Sequence, residues 1–218
     1  MRISLQEHEG QSPFCNCVDF MPDGKSLVTG WTDGKIRAFT PQSGRLLFII
    51  RDGHRPVINN AASSVSGISM ANKYASLVPQ GVTCMSPSID CNYLLTGGFD
   101  GEVKLWQIGK QTQTLCTSQR MHRAPITAIQ YMQSGEQAIS SAIDGSIILW
   151  DMQMPRGQKP LQKILQMDSP PSKAMDGSIV TGIISMSYNE VLRQLVTLGL
   201  DRRVTYWNLE TGKVIKQL

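Results

Sequence analysis

An all-β fold built from four copies of a four-stranded unit is predicted by three observations. An Asp recurs at Asp33, Asp100, Asp144 and Asp201, each four residues after a Ser or Thr and six before an aromatic residue. The four registers are Thr29-Asp33-Phe39, Thr96-Asp100-Trp106, Ser140-Asp144-Trp150 and Thr197-Asp201-Trp207, with Ile36, Val103, Ile147 or Val204 three residues past each Asp. Short apolar runs flank each Asp, and turn residues separate the runs. Self-similarity over tens of residues decides architecture before any single residue is read.

The elements follow in order. An apolar pair precedes each Ser or Thr, as Leu27-Val28, Leu94-Leu95, Ala138-Ile139 or Leu195-Val196. After each Asp comes a run such as Lys35 to Phe39 or Glu102 to Trp106. These read as two antiparallel strands joined across a tight turn, because β-branched and aromatic enrichment bounded by turn residues is the strand signal. A further strand lies upstream, over Cys17 to Phe20, Val82 to Met85, Ile126 to Tyr131 and Ile183 to Tyr188. Turn residues follow three of these, at Pro22-Asp23-Gly24, Ser134-Gly135 and Asn189-Glu190. A fourth strand follows Ser43-Gly44 in the first unit, over Leu46 to Ile50, and Thr211-Gly212 in the last, over Val214 to Leu218. Four-stranded units repeated along a chain pack radially as the blades of a β-propeller.

The blades are expected at about 11–52, 53–120, 121–166 and 179–218. The Asp33-to-Asp100, Asp100-to-Asp144 and Asp144-to-Asp201 steps are 67, 44 and 57 residues, so only the middle one matches an uninterrupted blade of about 40–45 residues. The surplus is assigned to loop insertions at about 55–81 and 167–178, rich in Asn, Ser, Gly and Pro. Four blades make an arc with two open flanks. Such edges call for further blades or for association. The expectation is therefore a partial propeller of a seven-bladed ring: a fragment, a truncated gene model, or a segment completed by another chain.

Composition excludes several classes. With 41% hydrophobic residues over 218, the chain can bury a core, and a net charge of +4 spread thinly is well short of a basic nucleic-acid arm. Met1 to Gly10 lacks the apolar stretch of a secretory signal, and no apolar run reaches membrane-spanning length. Five cysteines at unpaired spacings suit a reducing, intracellular compartment and read as small buried hydrophobes. His8, His54 and His122 are too scattered to complete a zinc site with them. No cofactor is expected either, since no Gly-rich phosphate loop opens a helix.

With Leu149-Trp150-Asp151 ending one strand and His122 standing 22 residues before Asp144, the pattern resembles the WD repeat. That resemblance implies a hydrogen-bonded tetrad of inter-blade His, strand Ser or Thr, turn Asp and strand Trp. The complete set is then His122, Ser140, Asp144 and Trp150. Partial sets are Thr29, Asp33 and Phe39, where Phe replaces Trp; His54, Thr96, Asp100 and Trp106, with a long insertion after the His; and Thr197, Asp201 and Trp207, without a His. Three segments extend the likeness: Pro22 to Leu46, Glu102 to Gln113, and Leu200 to Trp207. They resemble the second propeller of the cilia- and flagella-associated protein 52 family, which implies a scaffold on axonemal doublet microtubules in contact with tubulin and neighbouring axonemal proteins.

For catalysis, the nearest Ser-His-Asp arrangement is Ser140, His122 and Asp144, whose spacing the tetrad already explains and which no nucleophile-elbow pattern accompanies. The chain reads as non-enzymatic. Trp31 stands two residues before Asp33, where the other units carry Gly98, Ala142 and Gly199. It either anchors a partner or fills a gap in the blade. Arg37, Arg202 and Arg203 either meet an acidic partner such as tubulin or lie on solvated faces. The alternative to an axonemal scaffold is a soluble cytoplasmic adaptor such as a ubiquitin-ligase substrate receptor. Such receptors often carry Arg two residues after the Asp of a Trp-Asp pair, whereas Met152-Gln153 follows Trp150-Asp151 here.

Overall fold

The computed structural model describes residues 12–55, 77–153, 160–173, 177 and 179–218. Four antiparallel sheets account for nearly all regular structure. Blade 1 is β1 (Cys15–Phe20), β2 (Leu27–Trp31), β3 (Ile36–Phe39) and β4 (Leu46–Ile50). Blade 2 is β5 (Val82–Pro87), β6 (Tyr93–Gly98), β7 (Val103–Ile108) and β8 (Gln113–Gln119). Blade 3 is β9 (Ile126–Tyr131), β10 (Gln137–Ala142), β11 (Ser146–Asp151) and β12 (Gln162–Asp168). A two-stranded hairpin, β13 (Ser172–Lys173) and β14 (Ile179–Val180), precedes blade 4. Blade 4 is β15 (Ile183–Asn189), β16 (Gln194–Gly199), β17 (Val204–Asn208) and β18 (Lys213–Gln217).

Each blade is a meander in sequence order. The innermost strands stand side by side, β1 on β5, β5 on β9 and β9 on β15, so the blades form an arc. Meander connectivity puts the Asp turns, which join second and third strands, at one end of the blades. The turns joining first to second and third to fourth strands lie at the other.

Three apolar clusters fill the spaces between neighbouring blades. Val28, Ile36 and Ala38 of blade 1 pack on Val82, Leu94 and Trp106 of blade 2. Leu95, Val103 and Leu105 pack on Ile126, Ala138 and Trp150, and Ile139, Ile147 and Leu149 on Ile183, Leu195 and Trp207. One face of each blade thus packs against the face of the next, so the middle strands of blades 2 and 3 are buried on both faces. Among the described residues the flanks of the arc lack that cover. Val18 is 60% exposed where its counterparts Met85 and Ile129 are 8% and 7% exposed. Across the arc, Val196, Val204 and Tyr206 are only half-buried, whereas their counterparts in the other three blades are buried.

The first-strand bulges add polar ties between blades. Registers slip between Cys15 and Cys17, Val82 and Cys84, and Ile183 and Ser185. The Asn16 amide donates to the carbonyls of Gln80 and Val82 at 2.6 and 2.9 Å, and Thr83 Oγ1 donates to that of Ile126 at 2.6 Å. Bulges re-aim a side chain in this way. Because of that slip Cys15 is exposed, not a buried hydrophobe, whereas burial pushes the Cys84 thiol up to about 12.

Two expected boundaries shift. The excursion placed at 167–178 starts inside β12, whose Met167 is buried, and includes β13, while β14 takes the start of the range expected for blade 4. The excursion at 55–81 falls mainly outside the described residues. Its last stretch, Leu77 to Gly81, leads into β5. No helix among the described residues is long and apolar enough to cross a membrane.

Candidate functional site

The four Asp side chains sit at equivalent turns and are satisfied in four different ways. In blade 2 the set is direct. His54 Nδ1 lies 2.9 and 3.2 Å from the two Asp100 oxygens, its Nε2 lies 2.9 Å from Thr96 Oγ1, and the Trp106 indole donates to the same Oγ1 at 3.1 Å. The amides of Glu102 and Arg55 complete the carboxylate's partners. Burial alone would raise Asp100, but the His54 hydrogen bond and charge, with those amides, hold it below the usual carboxylate range. The His54 amide itself donates to the Gly34 carbonyl of blade 1 at 2.8 Å. The set read as partial is therefore the one in which His meets Asp. The intervening insertion does not part them.

Blade 3 carries an additional member. His122 Nε2 lies 2.6 Å from Ser140 Oγ, which accepts the Trp150 indole at 2.8 Å. On the other side Nδ1 meets Ser146 Oγ at 2.6 Å, and Ser146 Oγ donates to Asp144 at 2.6 Å. The expected His122-to-Asp144 bond is thus relayed by Ser146. Donation runs one way, from indole to Ser140, to Nε2, then from Nδ1–H to Ser146 and on to the carboxylate. That direction suits a neutral imidazole. Burial drives the His122 pKa down to about 4, against the opposing charge of Asp144.

The residue two before each Asp explains the difference. A Cβ on Gly98 would lie 2.1 Å from His54 Nδ1 and 2.5 Å from Asp100 Oδ1. Blade 3 has that Cβ, on Ala142, so its imidazole cannot adopt the His54 position. A serine hydroxyl, both donor and acceptor, spans the displacement. In blade 2 the corresponding residue is Glu102, whose carboxylate is occupied with Lys104 at 3.4 Å and Ser118 at 3.1 Å.

In blade 1 that space holds Trp31. Phe39 is buried and supplies no donor, and the Trp31 indole reaches Thr29 Oγ1 at 2.7 Å in its place. Asp33 takes a bidentate pair from Arg37 at 3.1 and 2.7 Å, and the guanidinium stacks 4.8 Å above the Trp31 ring. Arg37 is 3% exposed, so it is an internal cation and not a contact for a partner. Its Nε is buried without a hydrogen-bond partner. Burial opposes ionisation of Asp33, but Arg37 and the Lys35 amide outweigh it and keep the carboxyl low.

Blade 4 has no imidazole. Trp207 donates to Thr197 Oγ1 at 2.9 Å, and Asp201 accepts the Arg203 amide at 3.1 Å. The amide that reaches the preceding blade's turn carbonyl, Gly145, belongs to Ser169. A Cβ on Gly199 would meet Asp201 Oδ1 at 2.3 Å, as one on Gly98 would meet Asp100 Oδ1 at 2.5 Å, so the carboxylate keeps its place without a ring.

The family model for the WD domain, G-beta repeat, matches residues 2–40, 73–107 and 110–151. The chain belongs to the WD-repeat family. It is 32% identical to human cilia- and flagella-associated protein 52 over 94% of its length, and 33% identical to the Chlamydomonas reinhardtii protein of that name over 93%. The chain spans 26% of the length of each of these relatives. Among solved structures it is similar to a chain in the mitotic checkpoint complex, with TM-score 0.67 and 15% identity over 96% of this chain and 52% of that one. That likeness extends to the fold alone.

The remaining predicted residues divide by exposure. Arg202 and Arg203 are exposed at the blade 4 turn, and Arg202 has φ 66 where the other WD repeats carry Gly34, Gly101 and Gly145 at φ 77, 75 and 90. Ser140, by contrast, is fully buried, with Oγ engaged by Trp150 and His122. No substrate carbonyl can reach it, so the Ser-His-Asp geometry carries no hydrolysis. Among the described residues no group of three or more His, Cys, Asp or Glu is placed to hold a metal ion. Sequence reasoning missed Ser146. Its signal was a Ser two residues after Asp144, where the other turns have Lys35, Glu102 and Arg203.

Proposed function

We propose that this chain is part of a non-enzymatic WD-repeat scaffold of the ciliary or flagellar axoneme, making static protein–protein contacts on doublet microtubules, with tubulin and neighbouring axonemal proteins as its partners. The observation that carries this reading is the likeness to cilia- and flagella-associated protein 52 over nearly the whole chain, from mammal to alga. The four Asp clusters agree with it, because each is spent on holding its own blade. Function on such a scaffold lies in its surfaces. Of the arginines that the sequence singles out, Arg202 and Arg203 are exposed to an acidic surface.

The test is localisation of the tagged full-length protein in ciliated cells, followed by detergent extraction. Retention on the doublets supports the proposal. A diffuse cytosolic signal with a ubiquitin-ligase adaptor in pull-downs refutes it in favour of a soluble substrate receptor.

A further inference from the structure

At the blade ends opposite the Asp turns, a cleft of about 660 Å3 opens between blades 3 and 4. Its floor is apolar, formed by Leu149 and Leu209, both buried, with Leu165 beside them. Its rim is acidic, with Glu136 on the β9–β10 turn, Glu190 after β15 and Glu210 after β17. Arg193 is the cation in the lining, and Glu210 already holds its guanidinium at 2.9 Å. Glu190 accepts the Gln133 amide, whereas Glu136 has no ion-pair partner among the described residues. Three carboxylates against one guanidinium leave two negative charges, on a chain whose formal net charge is +4.

Apolar side chains also stand exposed in the lining and on the turn next to it. Ile164 on β12 is 49% exposed, and Val191 and Leu192, on the turn between Glu190 and Arg193, are 92% and 62% exposed. Apolar side chains left bare around a concave apolar floor mark an interaction surface, and the volume is that of a site for a few side chains. The sign of the rim selects the ligand. An acidic segment is repelled, while a basic side chain reaching Glu136 gains a charge-assisted hydrogen bond as its neighbour enters the floor.

We propose that this inter-blade cleft docks an extended peptide segment of a partner protein, in which a lysine or arginine lies close to a branched apolar side chain. The site is distinct from Arg202 and Arg203 and does not depend on the axonemal reading. Glu136 and Glu190 receive the cation, and Leu149, Leu165 and Leu209 receive the apolar group.

The experiment is fluorescence anisotropy of the full chain with fluorescein-labelled nonapeptides. One set carries one arginine and one leucine at every relative spacing in a glycine–serine background; the matched set has glutamate for arginine. At least one arginine–leucine spacing is expected to bind with a Kd of about 1–100 μM, its glutamate match at least about tenfold more weakly, and with affinity that falls as salt rises. Glu136→Lys and Ile164→Ser alter exposed side chains and leave the far-ultraviolet circular dichroism unchanged. Each is expected to weaken binding about tenfold or more. Absence of binding across the arginine set, equal binding of the glutamate set, or affinities within about twofold in both variants would each overturn the proposal.

Discussion

Adding one methyl group to Gly98 tests why the four WD repeats satisfy their Asp residues differently. In Gly98→Ala the new Cβ would stand 2.1 Å from Nδ1 and 2.4 Å from Cγ of His54, atoms of a rigid ring, so the imidazole must leave Asp100. The carboxylate then loses a charge-assisted hydrogen bond worth about 1.5–3 kcal/mol, and Thr96 loses its partner at Nε2. A destabilisation of about 2–3 kcal/mol is expected. Blade 3 already contains the remedy, since Ala142 is accompanied by Ser146. Glu102→Ser alone removes a largely buried ion pair with Lys104 and the Ser118 hydrogen bond, and costs about 1–3 kcal/mol. Combined with Gly98→Ala it rebuilds the relay, so the double variant is expected to recover about 1 kcal/mol or more over additivity. Urea unfolding of the four chains, read as a double-mutant cycle, measures the coupling. A Gly98→Ala cost under about 0.5 kcal/mol, or a coupling energy of zero, refutes the steric account.

Three further outcomes are expected. Trp31→Phe keeps a ring beneath Arg37 but removes the indole donor to Thr29, for a loss of about 1 kcal/mol, whereas Trp31→Ala also removes the stack and costs about 2–3 kcal/mol by urea unfolding. Burial holds His122 at about 4 in the folded chain, below the ordinary value of 6.5, so the unfolded chain binds an extra proton between those values. Stability therefore falls as pH drops from about 6.5 to about 4 and then levels off, by about 3 kcal/mol for this group, and urea midpoints at pH 7 and 5 will differ less in His122→Gln. Arg202→Gly relieves a left-handed backbone at an exposed turn and is expected to raise stability by about 0.5–1 kcal/mol, visible as a higher thermal midpoint.

The blade was legible in the sequence because its determinants are local. The apolar runs, the Asp turn and the aromatic six residues later all act within a hairpin, and β2, β3 and their counterparts lie where those residues put them. The outer strands β8 and β12 were harder to read. They are exposed along much of their length and carry little periodic apolar signal. Arg37 reads as outward-facing from the sequence although its parity is informative, whereas Trp31 takes the gap-filling one of its two readings. Trp31 is two residues from Thr29, hence on the same face of β2, and Arg37 pairs directly opposite Thr29 on β3. Both point into the cluster around Asp33.

What spacing does not reveal is which His meets its Asp, because that is settled by contact between elements far apart in sequence. His54 is 46 residues from Asp100 and still reaches it, while His122, at the expected distance of 22, is held off Asp144. The deciding residue is neither partner. It is the side chain two before the Asp, which faces the space an imidazole would need: hydrogen at Gly98 admits the ring, methyl at Ala142 displaces it by the reach of one hydroxyl, and indole at Trp31 takes the space itself. At Gly199 no ring comes, and the Asp201 carboxylate lies beside the glycine much as Asp100 lies beside Gly98. Size at that position orders the first three outcomes, and the presence of a histidine separates Gly98 from Gly199. Volume thus sets the hydrogen-bonding pattern of each blade, and an Ala142→Gly variant is expected to bring His122 directly onto Asp144, read as a loss of the hydrogen bond between His122 and Ser146 in a crystal structure. Retention of the relay in that variant would mean that Ser146, not Ala142, fixes the ring.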